Sequence, residues 1–227
     1  MLKRILIGVA AVLLIGVIGA FYFAWRPTIA PISPPVPSAF ARELVMRGEV
    51  LAAAGFCAEC HTAKGGRPFA GGYAMRTGFG TVYSTNITPD PETGIGTWSE
   101  EAFRRAMQEG VARDGSHLFP AFPYDHFTRM SDADISALYA YFMTREPVNA
   151  SAQENTLPFP LGIRALQAGW KLLFFPTRPV RDAAGAWAAM ESGRLPRRRH
   201  QSLQRLSHAA QRPGRRRART CLFGCRG

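Results

Sequence analysis

Cys57-Ala58-Glu59-Cys60-His61 sets two thiols three positions apart, with an imidazole directly after the second. That spacing suits covalent attachment of haem c: each thiol adds across one vinyl group as a thioether, and His61 turns under the ring to ligate the iron. With 4 Cys and 5 His in 227 residues, composition alone produces such a run about 0.0015 times. Two other chemistries compete for the motif. A zinc site needs a further ligand pair, because three donors so close in sequence do not close a tetrahedron. The remaining cysteines, Cys221 and Cys225, lie in an arginine-rich tail with no histidine beside them. A redox dithiol of the thioredoxin type needs a βαβ pattern around the motif, and none is visible. The expected cofactor is therefore one covalent haem c, attached through Cys57 and Cys60, with His61 as the proximal iron ligand.

The first residues agree with that chemistry. Ile5 to Trp25 is an uncharged run of 21 residues, long enough to cross a bilayer as one helix. Lys3 and Arg4 precede it and only Arg26 follows closely. The bias of positive charge toward the inner side predicts a cytoplasmic N-terminus and a chain exported beyond it. A cleaved signal peptide would have a shorter apolar core and a small-x-small site, where this chain has Phe21-Tyr22-Phe23. The expectation is a single-pass signal-anchor in a bacterial inner membrane, contacting lipid, with the haem domain periplasmic, the side on which haem c is attached.

Pro27, Pro31, Pro34, Pro35 and Pro37 mark an extended linker that cannot be helical, read as a spacer holding the domain off the membrane. Ser38 is the expected cap of a helix through Arg42 to Ala54, with Leu44, Val45 and Leu51 on one face and Gly55 as its end. From Thr62 to Thr97 the chain is rich in Gly, Thr and Pro without helical period, which reads as a long loop wrapped on a cofactor. Within it, Asn86-Ile87-Thr88 matches a glycosylation sequon, taken as coincidence. Ser99, Glu100 and Glu101 open a second helix that Gly110 stops. Ser131 and Asp134 open a third, ending before Pro147, whose Ile135, Leu138, Tyr139 and Phe142 read as core rather than electron relays. Three helices around a haem, with almost no strand signal, predict a mainly α fold of the class I cytochrome c plan.

The run Gly80-Thr-Val-Tyr-Ser-Thr-Asn-Ile-Thr-Pro-Asp-Pro-Glu-Thr-Gly-Ile-Gly96 narrows the family. It resembles the cytochrome c subunits of membrane-bound bacterial dehydrogenases acting on alcohols, gluconate and aldehydes, and of some molybdenum hydroxylases. Arg113-Asp114-Gly115, Leu118-Phe119-Pro120-Ala121 and Ser131-Asp132-Ala133-Asp134 continue the resemblance, which covers about residues 40 to 180. It implies an electron-transfer subunit, not an enzyme in itself. The donor would be a dehydrogenase catalytic subunit, and the acceptor quinone, a terminal oxidase or another cytochrome. It also implies that Leu157 to Phe175 connects a first haem module to a second.

Many members of that family place methionine, the sixth iron ligand, where this chain has Phe122 in Pro-Ala-Phe-Pro-Tyr. Phenylalanine cannot donate to iron. His126, four residues on, becomes the leading substitute, followed by Met130, then Met107 and Met75. A bis-His iron would sit at lower potential than a His/Met one. An alternative function follows from the same departure: a five-coordinate haem that binds a small gas or reduces peroxide, with His126 as a polar donor instead of a ligand.

Charge distribution isolates the C-terminus. Of the net +12, residues 191–227 hold eleven Arg against one acid, leaving the rest nearly balanced. Leu203 to Gln211 can be spelled in codons that, shifted by one base, read Cys-Ser-Ala-Cys-His-Thr-Pro-Arg-Asn. Met190 to Leu195 can be spelled so that the same shift reads Trp-Asn-Arg-Gly-Gly-Tyr, also like the family. The tail is therefore read as out-of-frame sequence after a shift near residues 180 to 190. Its arginines then reflect GC-rich codons, not phosphate contacts, and no nucleic-acid partner is expected. The predicted organisation is an anchor (1–25), a Pro-rich linker (26–37), a cytochrome c domain (38–150), a connector (151–190) and a disordered Arg-rich tail (191–227).

Overall fold

A computed structural model of the chain describes residues 1–175. The expected tail, its shifted-frame reading and the end of the connector lie outside the described residues. Helix α1, Leu2–Ala24, has no buried residue and is long and apolar enough to cross a bilayer. At 23 residues it measures about 34 Å.

Helix α2 runs Arg42–Ala54 and stops at Gly55. Its N-cap is Ala41, without a side-chain bond, because Ser38 sits inside a 3-10 turn over Pro37–Ala39. Helix α4, Glu100–Glu109, begins where the Ser99 hydroxyl accepts the Ala102 N–H and ends at Gly110 in the left-handed region. Helix α6, Asp132–Met143, is capped by Ser131, whose Oγ accepts the Asp134 N–H at 3.2 Å and donates to the Asp134 carboxylate at 2.7 Å. These are local signals, and the chain obeys them locally.

The core forms where α6 meets α2 and α4. Ile135, Leu138, Tyr139, Phe142 and Met143 of α6 are buried together with Ala52, Phe103 and Met107. Fully burying one such large side chain contributes roughly 1.5–3 kcal/mol. Phe69 closes the cluster edge-on against both Tyr141 and Phe142, with centroids at 6.0 and 5.5 Å. Gly48 allows α2 to lie directly on α6: a Cβ there would come within 2.0 Å of the Ala137 carbonyl oxygen. Arg47 pins the same crossing from outside, donating to the Asp134 carboxylate at 2.6 Å.

Three elements differ from the sequence expectation. The stretch read as one loop contains a two-stranded antiparallel hairpin, β1 (Ala74–Thr77) and β2 (Gly80–Tyr83). Four-residue strands alternate too briefly to be read from periodicity. The connector contains helix α7, Leu166–Phe174. The Pro-rich segment is not a free spacer but a strap laid on the domain. Ile29 and Ile32 donate their N–H groups to the Arg113 and Thr97 carbonyls at 2.9 and 3.0 Å. Arg105 and Arg113 in turn donate to the Pro27 and Ile29 carbonyls at 2.7 and 3.1 Å. An extended chain that cannot bond to itself leaves its carbonyls open, and two arginines of the domain take them.

Candidate functional site

Helix α3 is the five-residue segment Cys57–His61 itself. Its entry is set by Phe56, held in the left-handed region at φ 55 and exposed. A non-glycine residue there costs of order 1–3 kcal/mol, and such strain concentrates at functional turns. The turn brings Cys57, Cys60 and His61 to the wall of one cavity of about 500 Å³. The other walls come from the hairpin, the run 84–95, α4 and the segment 118–123. The described chain thus surrounds one apolar space, with Phe103, Phe122, Phe127 and Phe142 among its lining.

His61 is oriented by backbone. Its Nδ1 lies 2.7 Å from the Thr85 carbonyl oxygen. A carbonyl only accepts, so Nδ1 carries the proton and Nε2 keeps its lone pair. Burial pushes the imidazole pKa down, which keeps the ring neutral, and the Thr85 bond partly opposes this. The Cys57 thiol is pushed up to about 11 by burial and by the neighbouring Cys60, so it is neutral as folded.

The signature run holds Thr85 in place. Asn86 is buried, donating through Nδ2 to Thr93 Oγ1 at 2.9 Å and to the Val148 carbonyl at 2.6 Å. Its Oδ1 accepts from the N–H and hydroxyl of Thr88 at 2.9 and 2.8 Å. Thr93 donates to Asp90, whose carboxyl is held below its ordinary value chiefly by the hydrogen bonds from Thr93. Ala150 and Val148 close the clasp from the far side, their N–H groups donating to Thr93 and Thr88. Asn86 is thus a structural residue with every bonding position engaged, not an accessible sequon. Gly71, at φ 79, passes beneath this loop, where a Cβ would meet the Thr85 carbonyl carbon at 2.5 Å.

The structure places the sixth-ligand candidates differently with respect to the cavity. His126 lies on the short helix α5, Tyr124–Phe127, with its side chain 79% exposed and Nδ1 2.9 Å from the Asp125 carboxylate. It faces solvent and is not among the residues that line the cavity. Met130 packs against the core outside the cavity lining. Met107 and Met75 do line it. The reason is local: Phe122 and Phe127 stack at 5.4 Å inside the cavity, and a four-residue helix cannot face both Phe127 and the adjacent His126 inward. Phe122 occupies the wall where the resemblance places methionine.

Sequence reasoning missed three parts of the site. Thr85 acts through a backbone atom, which no side-chain pattern reveals. Asn155 and Arg164 reach the cavity from the segment read as connector. Arg164 also lies over the Phe119 ring at 5.3 Å, where a lone cation in an apolar segment was the available clue.

An apolar cavity of this size, two thiols on its wall and a neutral imidazole with a free Nε2 fit a covalently held haem. The comparisons agree. Residues 45–146 match the family model described as cytochrome c. The chain is 56% identical over 150 residues to a nicotinate dehydrogenase subunit of Pseudomonas putida, covering 66% of this chain and 13% of the relative. It is 51% identical over 134 residues to the gluconate 2-dehydrogenase cytochrome c subunit of Pantoea cypripedii, covering 59% and 30%. It is 44% identical over 135 residues to the cytochrome c subunit of a quinone-linked alcohol dehydrogenase of Gluconobacter oxydans, covering 59% and 28%. The chain thus spans less than a third of the length of these relatives. What lies between Val45 and Glu146 is a cytochrome c domain similar to those of the cytochrome c subunits of gluconate and alcohol dehydrogenases.

Proposed function

We propose that this chain is a membrane-anchored c-type cytochrome with one haem, carrying electrons from a dehydrogenase catalytic subunit toward the respiratory chain. The observation that carries the reading is the convergence of Cys57, Cys60 and His61 on one cavity, with His61 Nδ1 engaged by Thr85. Cys57 and Cys60 hold the cofactor edge as thioethers, and His61 Nε2 is the proximal ligand. When bound, the haem supplies a one-electron Fe(III)/Fe(II) couple. The protein orients the ligand, excludes water with phenylalanine walls and keeps the reacting group fixed between oxidation states. No bond-making step is assigned to the chain itself.

Of the candidate sixth ligands, Met107 has the better position. It is buried on α4 and lines the cavity with Phe103 and Phe122. Met75 sits on the hairpin that leads into Thr85, the residue bonded to His61. The alternative of a peroxide-reducing or gas-binding haem loses its polar donor with His126 turned outward.

The names of the relatives support a dehydrogenase as donor; the acceptor in this reading is quinone, an oxidase or another cytochrome. The length and composition of α1 support a membrane anchor, and Lys3 and Arg4 ahead of it favour an inner-membrane span with its N-terminus cytoplasmic and the haem domain periplasmic. The test is co-expression with a haem c maturation system and a pyridine haemochrome assay of the purified full chain. One thioether-type haem per chain is expected, lost when Cys57 and Cys60 are both replaced by Ala. Haem that extracts into acidified butanone would refute covalent attachment.

A further inference from the structure

Helix α7 is built inside out. Its inward residues are Gln167, Ala168 and Lys171, whereas Leu166, Leu172, Leu173 and Phe174 are exposed. Leu173 is 75% exposed, and Phe159 in the preceding turn reaches 89%. Leu161 and Ile163 extend the same apolar surface. A helix in water turns its leucines inward and its lysine outward, so the reversed pattern calls for an apolar medium outside.

The position of α7 names that medium. It packs against α1, which buries no residue and carries no charge after Arg4. A buried polar relay sets where the two meet. Lys171, only 9% exposed, donates from Nζ to the Glu109 and Gly110 carbonyls at 2.6 Å each, and to His117 Nδ1 at 3.0 Å. His117 Nε2 then donates to the Ala24 carbonyl at 2.8 Å, the last residue of α1. The exposed aromatics Tyr22, Phe23 and Trp25 mark the same end of α1. Aromatic side chains of this kind concentrate at the membrane–water boundary. The strap formed by residues 27–32 leaves no free tether between anchor and domain.

We infer that α7 and the turn before it form an interfacial patch that lies in the outer leaflet of the bilayer, beside the point where α1 emerges. The occupant is lipid, because the patch continues the surface of α1 at the level of its boundary aromatics. An amphipathic helix of this kind buries its apolar face roughly 5–10 Å into the headgroup and acyl boundary. The haem domain then rides on the membrane surface in one orientation instead of swinging on a linker. This inference rests on the reading of α1 as a membrane anchor, and the experiment separates the two.

The full-length, haem-loaded chain carrying Cys221→Ser and Cys225→Ser is reconstituted in phosphatidylcholine–phosphatidylglycerol nanodiscs. A nitroxide is placed at Leu173→Cys or, as a reference on exposed α2, at Glu49→Cys. With the haem left oxidised and its relaxation subtracted from a record of the same label under argon, power saturation compares relaxation by oxygen, which partitions into lipid, and by a water-soluble nickel chelate. The label at 173 should favour oxygen several-fold, and the label at 49 should favour nickel. Co-elution with nanodiscs and strong nickel relaxation at 173 would overturn the patch while leaving the anchor intact. Shielding at 173 from both agents would overturn it too, since protein would then cover the face. Failure to co-elute would remove the anchor reading, and this inference with it. A second variant, Leu172→Glu with Leu173→Glu, should leave the haem spectrum unchanged and make α7 readily cleaved by protease in nanodiscs; continued protection would again count against lipid contact.

Discussion

Thr85 offers its backbone carbonyl to His61 Nδ1 at 2.7 Å, so the peptide chain itself aims the imidazole proposed as iron ligand. The strength of that bond depends on the Asn86 clasp, because a carbonyl can only be as well placed as the loop that carries it. Hydrogen bonding at the remote ring nitrogen raises ligand basicity and so favours the ferric state.

Replacing Asn86 with Ala removes the centre of the clasp. It leaves Val148 O, Thr88 N and two threonine hydroxyls short of a partner. A loss of about 2–3 kcal/mol in unfolding free energy is expected from the orphaned groups. The haem potential should rise as Thr85 loosens from His61. Chemical denaturation and a redox titration read the two effects separately, and an unchanged potential in a destabilised variant would confine Asn86 to a scaffolding role.

Met107→Leu keeps the volume of the side chain and removes its sulfur. We expect loss of the charge-transfer band of methionine-ligated ferric haem, a lower potential and faster CO binding to the reduced protein. His126→Ala should leave all three unchanged, since that ring faces solvent. A bis-His spectrum in the unmodified protein, abolished by His126→Ala, would reverse the assignment. Rapid stoichiometric CO binding to the unmodified reduced protein would show an open sixth position and sink the simple relay.

Gly48→Ala tests the helix crossing that supports the core. The added methyl meets the Ala137 backbone at 2.0 Å, a contact that only backbone displacement can relieve. Overpacking of this kind destabilises by about 1–3 kcal/mol. Thermal unfolding should show the drop, whereas Glu49→Ala on the neighbouring exposed position should stay close to the starting stability.

The Lys171–His117 relay makes stability depend on pH at two ends. Burial first, then Arg26, lowers Lys171 from 10.5 to about 8, so the folded state binds this proton less tightly than the unfolded chain. Stability should therefore rise with pH between about 8 and 10.5, as the buried ammonium is neutralised. His117 is also lowered, by burial first, so its contribution is present above 6.5 and is lost as pH falls below that value. A protonated His117 can no longer accept from Lys171. Denaturant midpoints measured across pH should show both slopes, and Lys171→Met should flatten the alkaline one. An alkaline slope that survives Lys171→Met would assign it to another group.

The shifted reading of the tail is testable on the gene. Sequencing from codon 170 past the stop should show a frame, displaced by one base near residues 180–190, that opens into further Cys-x-x-Cys-His runs. A closed frame would leave the arginine-rich tail as encoded protein in need of its own account.

The sequence by itself carried the motif from which haem attachment is proposed, because Cys57, Cys60 and His61 lie within five residues and their chemistry needs no long-range partner. It also determined the start of α4 at Ser99, the start of α6 at Ser131 and the stops at Gly55 and Gly110, since capping acts within four residues. The tertiary structure decided what depends on distant segments. It turned His126 outward because Phe127 beside it faces the cavity, and brought Met107 from a different helix to the lining. It also selected a Thr85 backbone oxygen to orient His61, laid the proline strap on Arg105 and Arg113, and reversed α7 by giving Lys171 three hydrogen-bond partners. Apart from the turn of His126, each of these is a contact between residues far apart in sequence, and periodicity along one segment carries no information about what a distant segment brings to meet it.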